Sequence, residues 1–295
     1  MNELTGALQS WMAGGRFAEL DDVEIFYHVS GQRNRHLPWL VCFHGFPTSS
    51  WDWHLLLPWL EKTHRVLLFD FPGYGLSGKP SGRNYSLTRQ LDAAEALMKF
   101  LHIDEFDLLA HDMGNSVACE LLYRREAGNY PFELKSLTLL NGGIYMDLHQ
   151  PLLTQRLLRT PVIGPLTARF SSWQVFRRQY PRVYARPQQF DEMHYRSQWS
   201  LMLNNQGRNT LHKIAGYMKE RQRMGDRWTG PLHRVDLPFR VIWGKQDPIA
   251  VYDIALKLSQ SNPLVSLCTL EDARHYPQLE DPEKVAQCLN SPWSD

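Results

Sequence analysis

The chain of 295 residues is 43% hydrophobic and nearly balanced in charge, with 32 Lys+Arg against 31 Asp+Glu and a formal net charge of +1. That composition is sufficient for a full globular core and excludes a disordered polypeptide. No run approaches the roughly eighteen consecutive apolar residues of a membrane span, the opening MNELTGALQSWMAGGRF has no signal-peptide pattern, and near-neutral charge without a recognition motif argues against nucleic-acid binding. The expectation is a soluble, cytoplasmic protein without stable membrane insertion, with the choice between monomer and homodimer open.

Short apolar runs ended by turn residues predict strands at 23–29, 39–43, 66–69, 106–110, 137–140, 239–243 and 264–270. After the third of these, Gly73, Gly75 and Gly78 match the outline of a dinucleotide-binding loop, GxGxxG. Such a loop must open directly into a helix whose N-terminus holds the pyrophosphate, whereas Lys79-Pro80-Ser81-Gly82 continues as loop, so a glycine-rich turn at a pocket edge is predicted instead. Helical spacing follows at Leu87, Leu91, Ala94, Leu97, Met98 and Leu101 behind the capping candidate Ser86, and again over 117–123. Alternating strands and helices predict an α/β architecture, a mostly parallel central sheet flanked by helices.

The rhythm breaks after Asn141 and resumes near Leu237; the stretch between has helical patterns, the prolines 161, 165, 181 and 187 and the tryptophans 173, 199 and 228. It predicts a helical cap at 143–230 inserted into a core made of 1–142 and 231–295. The cap holds 14 Lys+Arg against five Asp+Glu, net +9, which leaves −8 elsewhere. Charge complementarity between cap and core with a solvated helix face is the simpler reading; attraction of an anionic substrate or a membrane surface is the other. The dispersed Cys42, Cys119, Cys268 and Cys288 read as reduced packing residues. No CxxC or HExxH occurs and the twelve histidines lack ligand spacing, so neither a metal nor a cofactor is expected.

The chemistry concentrates at Ala110-His-Asp112-Met-Gly114, where a strand breaks into a helix through the pattern small, any, nucleophile, any, small. A turn this sharp requires neighbours without bulk, and Ala110 and Gly114 meet that demand. Asp112 is therefore the candidate nucleophile. A competing pattern, Gly114-Asn-Ser116-Val-Ala118, would place the nucleophile inside the helix, where Ser116 is expected to face the helix backbone. Upstream, His44-Gly45-Phe46-Pro47 ends a strand and would bring the Phe46 N–H beside that of Met113 as a two-donor oxyanion hole. Asp247, after the strand in Ile242-Trp-Gly-Lys-Gln-Asp247, and His275, after the last strand, follow in the order nucleophile, acid, histidine, while the alternative acid position after Leu140 holds Asn141 and Gly142.

The phrases HGFPTSSWDW, FDFPGYGLSGKP, AHDMGN, WGKQDP and HYPQLEDP resemble the α/β-hydrolase group that contains epoxide hydrolases and haloalkane dehalogenases, over 23–289 and more weakly in the cap. ELLYR, LNGGIY and HYPQLEDP are similar to its mesoderm-specific transcript-like members. The resemblance implies the α/β-hydrolase fold, with Asp112 attacking carbon, His275 and Asp247 activating water, and a substrate pocket edged by His44, Phe46 and Trp51. Dehalogenases usually place Trp after the nucleophile and Asn after His-Gly, where this chain has Met113 and Phe46. Epoxide hydrolases use cap tyrosines as proton donors, and Tyr217, 30 residues before Asp247, resembles one of them. The second tyrosine is absent from its expected region near 157–160, leaving Tyr145, Tyr180 or Tyr195, of which Tyr145 is preferred.

The expected activity is hydrolysis of a hydrophobic epoxide by water to a vicinal diol through an ester on Asp112. The alternatives are a dehalogenase using the same Asp112, a serine esterase using Ser116, and a catalytically silent interaction protein retaining the fold.

Overall fold

The computed structural model describes residues 6–31 and 36–292. Eight strands, β1 (Arg16–Leu20), β2 (Val23–Ser30), β3 (Trp39–Phe43), β4 (Arg65–Phe69), β5 (Glu105–His111), β6 (Glu133–Leu140), β7 (Phe239–Gly244) and β8 (Val265–Leu270), form one sheet in the order β1-β2-β4-β3-β5-β6-β7-β8. The two pairings made by β2 are antiparallel and the other five are parallel. β1 is an addition to the strands anticipated from sequence. RFAEL carries no strong strand pattern of its own; it pairs with β2 across Asp21 and Asp22, whose φ values of 49° and 61° give the primed turn that matches strand twist.

Strand periodicity sorts the core onto both faces of the sheet. Along β3, Val41 and Phe43 enter one apolar cluster while Leu40 and Cys42 enter another, and β4 divides Leu67 and Phe69 from Val66 and Leu68 in the same way. The helix Leu87–Phe100 closes one face with Leu87, Leu91, Ala94, Leu97 and Met98 buried, and Ser86 caps it by accepting the Arg89 N–H. The Gly73–Gly78 segment is a turn wrapped on the buried Asp70 carboxylate, which accepts the N–H groups of Ser50 and Leu76 at 2.7 Å. Gly75 has φ +46°, and a Cβ there would lie 2.1 Å from Asp70 Oδ2. Glycine serves close packing at this point.

Between β6 and β7 the described chain is helical, including Leu153–Leu158, Ile163–Arg169, Trp173–Gln179, Glu192–Leu203 and Tyr217–His233. This segment is pinned to the C-terminal ends of the strands. The Val183 carbonyl accepts the His275 N–H, Gln198 donates to the buried Asp52, and Tyr180, Tyr184 and Tyr195 cluster with Tyr276 and Leu279. One sequence expectation is corrected: Cys268 on β8 and Cys288 in the helix Pro282–Asn290 are joined as a disulfide, with Cα atoms 6.2 Å apart, whereas Cys42 and Cys119 are free and buried. Their separation of 20 residues hid the pairing, which depends on how the last helix folds back beside β8. No helix among the described residues is long and apolar enough to cross a membrane.

Candidate active site

β5 ends at His111, and Asp112 follows with φ 46° and ψ −108° before the helix Met113–Glu126 begins. Backbone in this region is strained for a residue with a side chain, and the surroundings hold it there. The Asp112 N–H donates to the Asn141 carbonyl at 3.0 Å. A Cβ on Gly114 would stand 2.5 Å from the Phe43 carbonyl oxygen, and one on Gly45 2.8 Å from the Asp112 Cβ. The small residues thus let three strand ends converge on one carboxylate. Asp112 makes no side-chain cap to its own helix: Oδ2 accepts the Phe46 N–H at 2.9 Å, and Oδ1 has no hydrogen-bond partner among the described residues. Met113 occupies the first helical position, where an N–H has no intrahelical acceptor.

Opposite Oδ1, His275 Nε2 stands 4.0 Å away, and its Nδ1 lies 2.7 Å from Asp247 Oδ2. A carboxylate only accepts, so the Nδ1 side carries the proton and Nε2 faces Asp112. Asp247 is itself fixed: Oδ1 accepts the N–H groups of Ile249 and Ala250, and Oδ2 accepts Asn141 Nδ2 at 2.8 Å. Burial opposes charge on His275, but Asp247, by charge and hydrogen bond, and then Asp112 and Asp52 outweigh it and lift its pKa to about 9. For Asp112 burial pushes upward, and the charges of His275 and Arg221 overcome it, leaving the carboxyl below its ordinary value. The resting site therefore pairs a carboxylate with an imidazolium.

Tyr217 reaches the site from the helical segment. Its ring lies 5.4 Å from that of Phe46, and its buried hydroxyl has no hydrogen-bond partner among the described residues. Burial, then the neighbouring Asp112 charge, raise the phenol well above its ordinary pKa, so it stays a proton donor at neutral pH. An apolar cavity of about 380 Å³ adjoins the relay, lined by Phe46, Leu152, Phe176, Trp199, His275 and Tyr276 among others.

Several expected residues lie elsewhere. The Tyr145 hydroxyl is held by His233 Nε2 at 2.9 Å, and Tyr145 lines a separate cavity with Ser116 and Arg221. Of the other two tyrosines, Tyr180 lines the apolar cavity, while the Tyr195 hydroxyl donates to the Pro187 carbonyl. His44 is scaffold: Nε2 accepts the Phe71 N–H and Nδ1 meets the Gly45 carbonyl. Trp51 is stacked on His54 at 3.9 Å and packs into the core with Trp11, away from the cavity lining. Ser116 faces no helix carbonyl but accepts Arg221 Nε at 2.8 Å, from 105 residues away.

The sequence reading passed over other groups. Asn141 braces Asp247, and His111 Nε2 binds the His275 carbonyl at 2.7 Å. A polar residue ending a central strand was the available signal for Asn141. Asp52, whose pKa is raised to about 7 chiefly by burial, helps to hold the proton on His275 by its charge. Arg221, one helical turn after Tyr217, was visible only as a same-face neighbour. Among the described residues no three His, Cys, Asp or Glu side chains group as metal ligands.

A mostly parallel eight-stranded sheet, with a strained acidic residue at the central strand end facing a histidine–aspartate pair, defines the α/β-hydrolase class. The chain belongs to the α/β hydrolase fold family, which it matches over residues 38–282, and it is a hydrolase. It is 36% identical over 287 residues to the mesoderm-specific transcript protein of Mus musculus, covering 95% of this chain and 86% of that one. LipZ of Mycobacterium tuberculosis is 32% identical over 285 residues, 97% of each chain. The crystal structure of haloalkane dehalogenase DbeA from Bradyrhizobium elkani superposes with a TM-score of 0.80 at 20% identity, over 93% of this chain and 95% of that one. At that identity the likeness concerns the fold alone.

Proposed function

We propose that the protein is an epoxide hydrolase acting through a covalent ester on Asp112. The observation that carries this reading is the pairing of an unengaged carboxylate oxygen, Asp112 Oδ1, with the buried and unengaged phenol of Tyr217 beside it. A phenol is matched to an alkoxide, which must be protonated as it leaves, whereas a departing halide needs no proton. Met113 and Phe46 also stand where dehalogenases carry their halide-binding Trp and Asn. In the first step Oδ1 attacks an epoxide carbon, the ring C–O bond breaks, and the leaving oxygen takes the Tyr217 proton. Formation of the ester removes the Asp112 charge. His275 thereby loses one of its supports and gives up its proton, which restores the Tyr217 phenol; in its neutral form it then takes the proton of a water that attacks the ester carbonyl, and is again an imidazolium. Oxyanion character develops on Oδ2, where the Phe46 N–H already donates. Collapse releases a vicinal diol and restores Asp112.

Two measurements test this directly. Tyr217→Phe keeps the ring and deletes the proton donor, so single-turnover alkylation by an epoxide is expected to slow on the order of 10²–10³-fold, with bromoalkane alkylation little changed. Equal epoxide rates in the two proteins return Tyr217 to packing. The two half-reactions should also differ in pH dependence. Alkylation needs only ionised Asp112 and is expected to be flat over roughly pH 6–8. Ester hydrolysis needs neutral His275 and should rise with pH, with an apparent pKa below the value of about 9 in the free protein, because the ester carries no charge to hold the proton. A hydrolysis rate independent of pH removes His275 as the base.

A further inference from the structure

Arg221 is buried at 3% exposure, and neither terminal nitrogen of its guanidinium has a hydrogen-bond partner among the described residues. Its Nε donates to the neutral Ser116 hydroxyl. Two partly buried arginines of the same region are paired with acids: Arg124 holds Asp92, Glu95 and Glu120, and Arg227 holds Glu120. An unpaired interior cation is a site for an anion, because buried charges are tolerated chiefly with a partner. Beside it lies His149, buried and with neither ring nitrogen hydrogen-bonded among the described residues. The two meet over Gly143, where a Cβ would come within 2.4 Å of both side chains. Desolvation, then the Arg221 charge, keep His149 neutral with a pKa of about 3, so it retains one N–H to donate. The cluster adjoins the nucleophile: Ser116 sits one helical turn below Asp112, the guanidinium is 4.9 Å from the Tyr217 ring, and its charge acts on Asp112.

From this donor cluster at the nucleophile we infer that the substrate is a carboxylate-bearing molecule, its carboxylate received by Arg221 and His149. Arg221 then separates the incoming charge from that of Asp112. The net +9 of residues 143–230 has a matching role, raising the local concentration of an anion at a site that this segment covers. The inference rests on the epoxide reading for its reaction but not for its binding, and the test keeps the two apart. Calorimetric titration of the unaltered protein with hexanoate and with hexanamide is expected to show hexanoate binding tighter on the order of tenfold to a hundredfold, the preference vanishing in Arg221→Gln and surviving in part in Arg221→Lys. Hexanamide binding as tightly as hexanoate overturns the inference without any variant; unchanged hexanoate affinity in folded Arg221→Gln does so as well. In turnover, 2,3-epoxyhexanoate should exceed its primary amide in kcat/KM on the order of tenfold or more. Equal turnover of both epoxides leaves the epoxide reading standing and sinks the anion site. Arg221-dependent hexanoate binding with neither epoxide consumed does the reverse.

Discussion

In the His275→Gln protein, an epoxide that the unaltered enzyme turns over is expected to stop as a stoichiometric ester on Asp112. Alkylation by a carboxylate that is already ionised needs no base, whereas hydrolysis of the ester needs a water deprotonated by Nε2, the nitrogen that stands 4.0 Å from Oδ1. That gap is too long for a direct hydrogen bond. Glutamine cannot take a proton near neutral pH, so the first step survives and the second stops. Intact-mass spectra should show the protein heavier by one substrate, and peptide mapping should place the addition on Asp112. A serine hydrolase behaves differently, because its histidine also activates the nucleophile and its loss suppresses acylation itself. Spectra of His275→Gln without an adduct, for a substrate the unaltered protein consumes, eliminate the carboxylate mechanism.

Asp112→Ala carries the second large effect. Removing the only attacking group is expected to lower turnover on the order of 10⁴-fold or more, and to abolish the adduct when combined with His275→Gln. The same change acts on the relay. Asp112 is one of the charges that hold the proton on His275, so the imidazole should titrate below its value of about 9 in the variant, in a direction readable from the histidine ring resonances. Fold loss is not the expected cause of inactivity, since the carboxylate at φ 46° is strained and its deletion leaves the Asn141, Gly45 and Gly114 framework in place. A variant with near-normal turnover would show that Asp112 is a structural residue of the turn. Retained diol production with covalent labelling at Ser116 would move the nucleophile to the helix, against the Arg221 contact that now occupies that hydroxyl.

How much of this was readable before folding depends on how local the cause is. The parallel strands follow from continuous apolar runs, and the helix at Leu87–Phe100 from its 3.6-residue spacing and Ser86. β1 was not readable, since RFAEL becomes a strand only by pairing with β2. Asp112, Asp247 and His275 were readable because each sits in a turn at a strand end whose small or turn-forming neighbours are fixed by local backbone geometry, and the structure brings the three together. Tyr145, His44 and Trp51 were misplaced for the opposite reason. Each has the right residue type near the right segment, but its neighbour arrives from elsewhere: His233 from 88 residues on for Tyr145, Phe71 for His44, and Trp11 for Trp51.

The sequence by itself determined the strands β2 to β8, the sharp turn that presents a carboxylate, and the chain order of Asp112, Asp247 and His275, since these rest on periodicity and on steric limits within a few residues. Tertiary structure decided which polar atoms find partners. It paired Cys268 with Cys288, set Ser116 against Arg221, and left Arg221, His149 and Tyr217 buried beside Asp112 with polar atoms that have no hydrogen-bond partner among the described residues. Residues up to about a hundred positions apart meet at those contacts. Desolvation and hydrogen-bond satisfaction depend on every element packed around a group, and no local pattern encodes them.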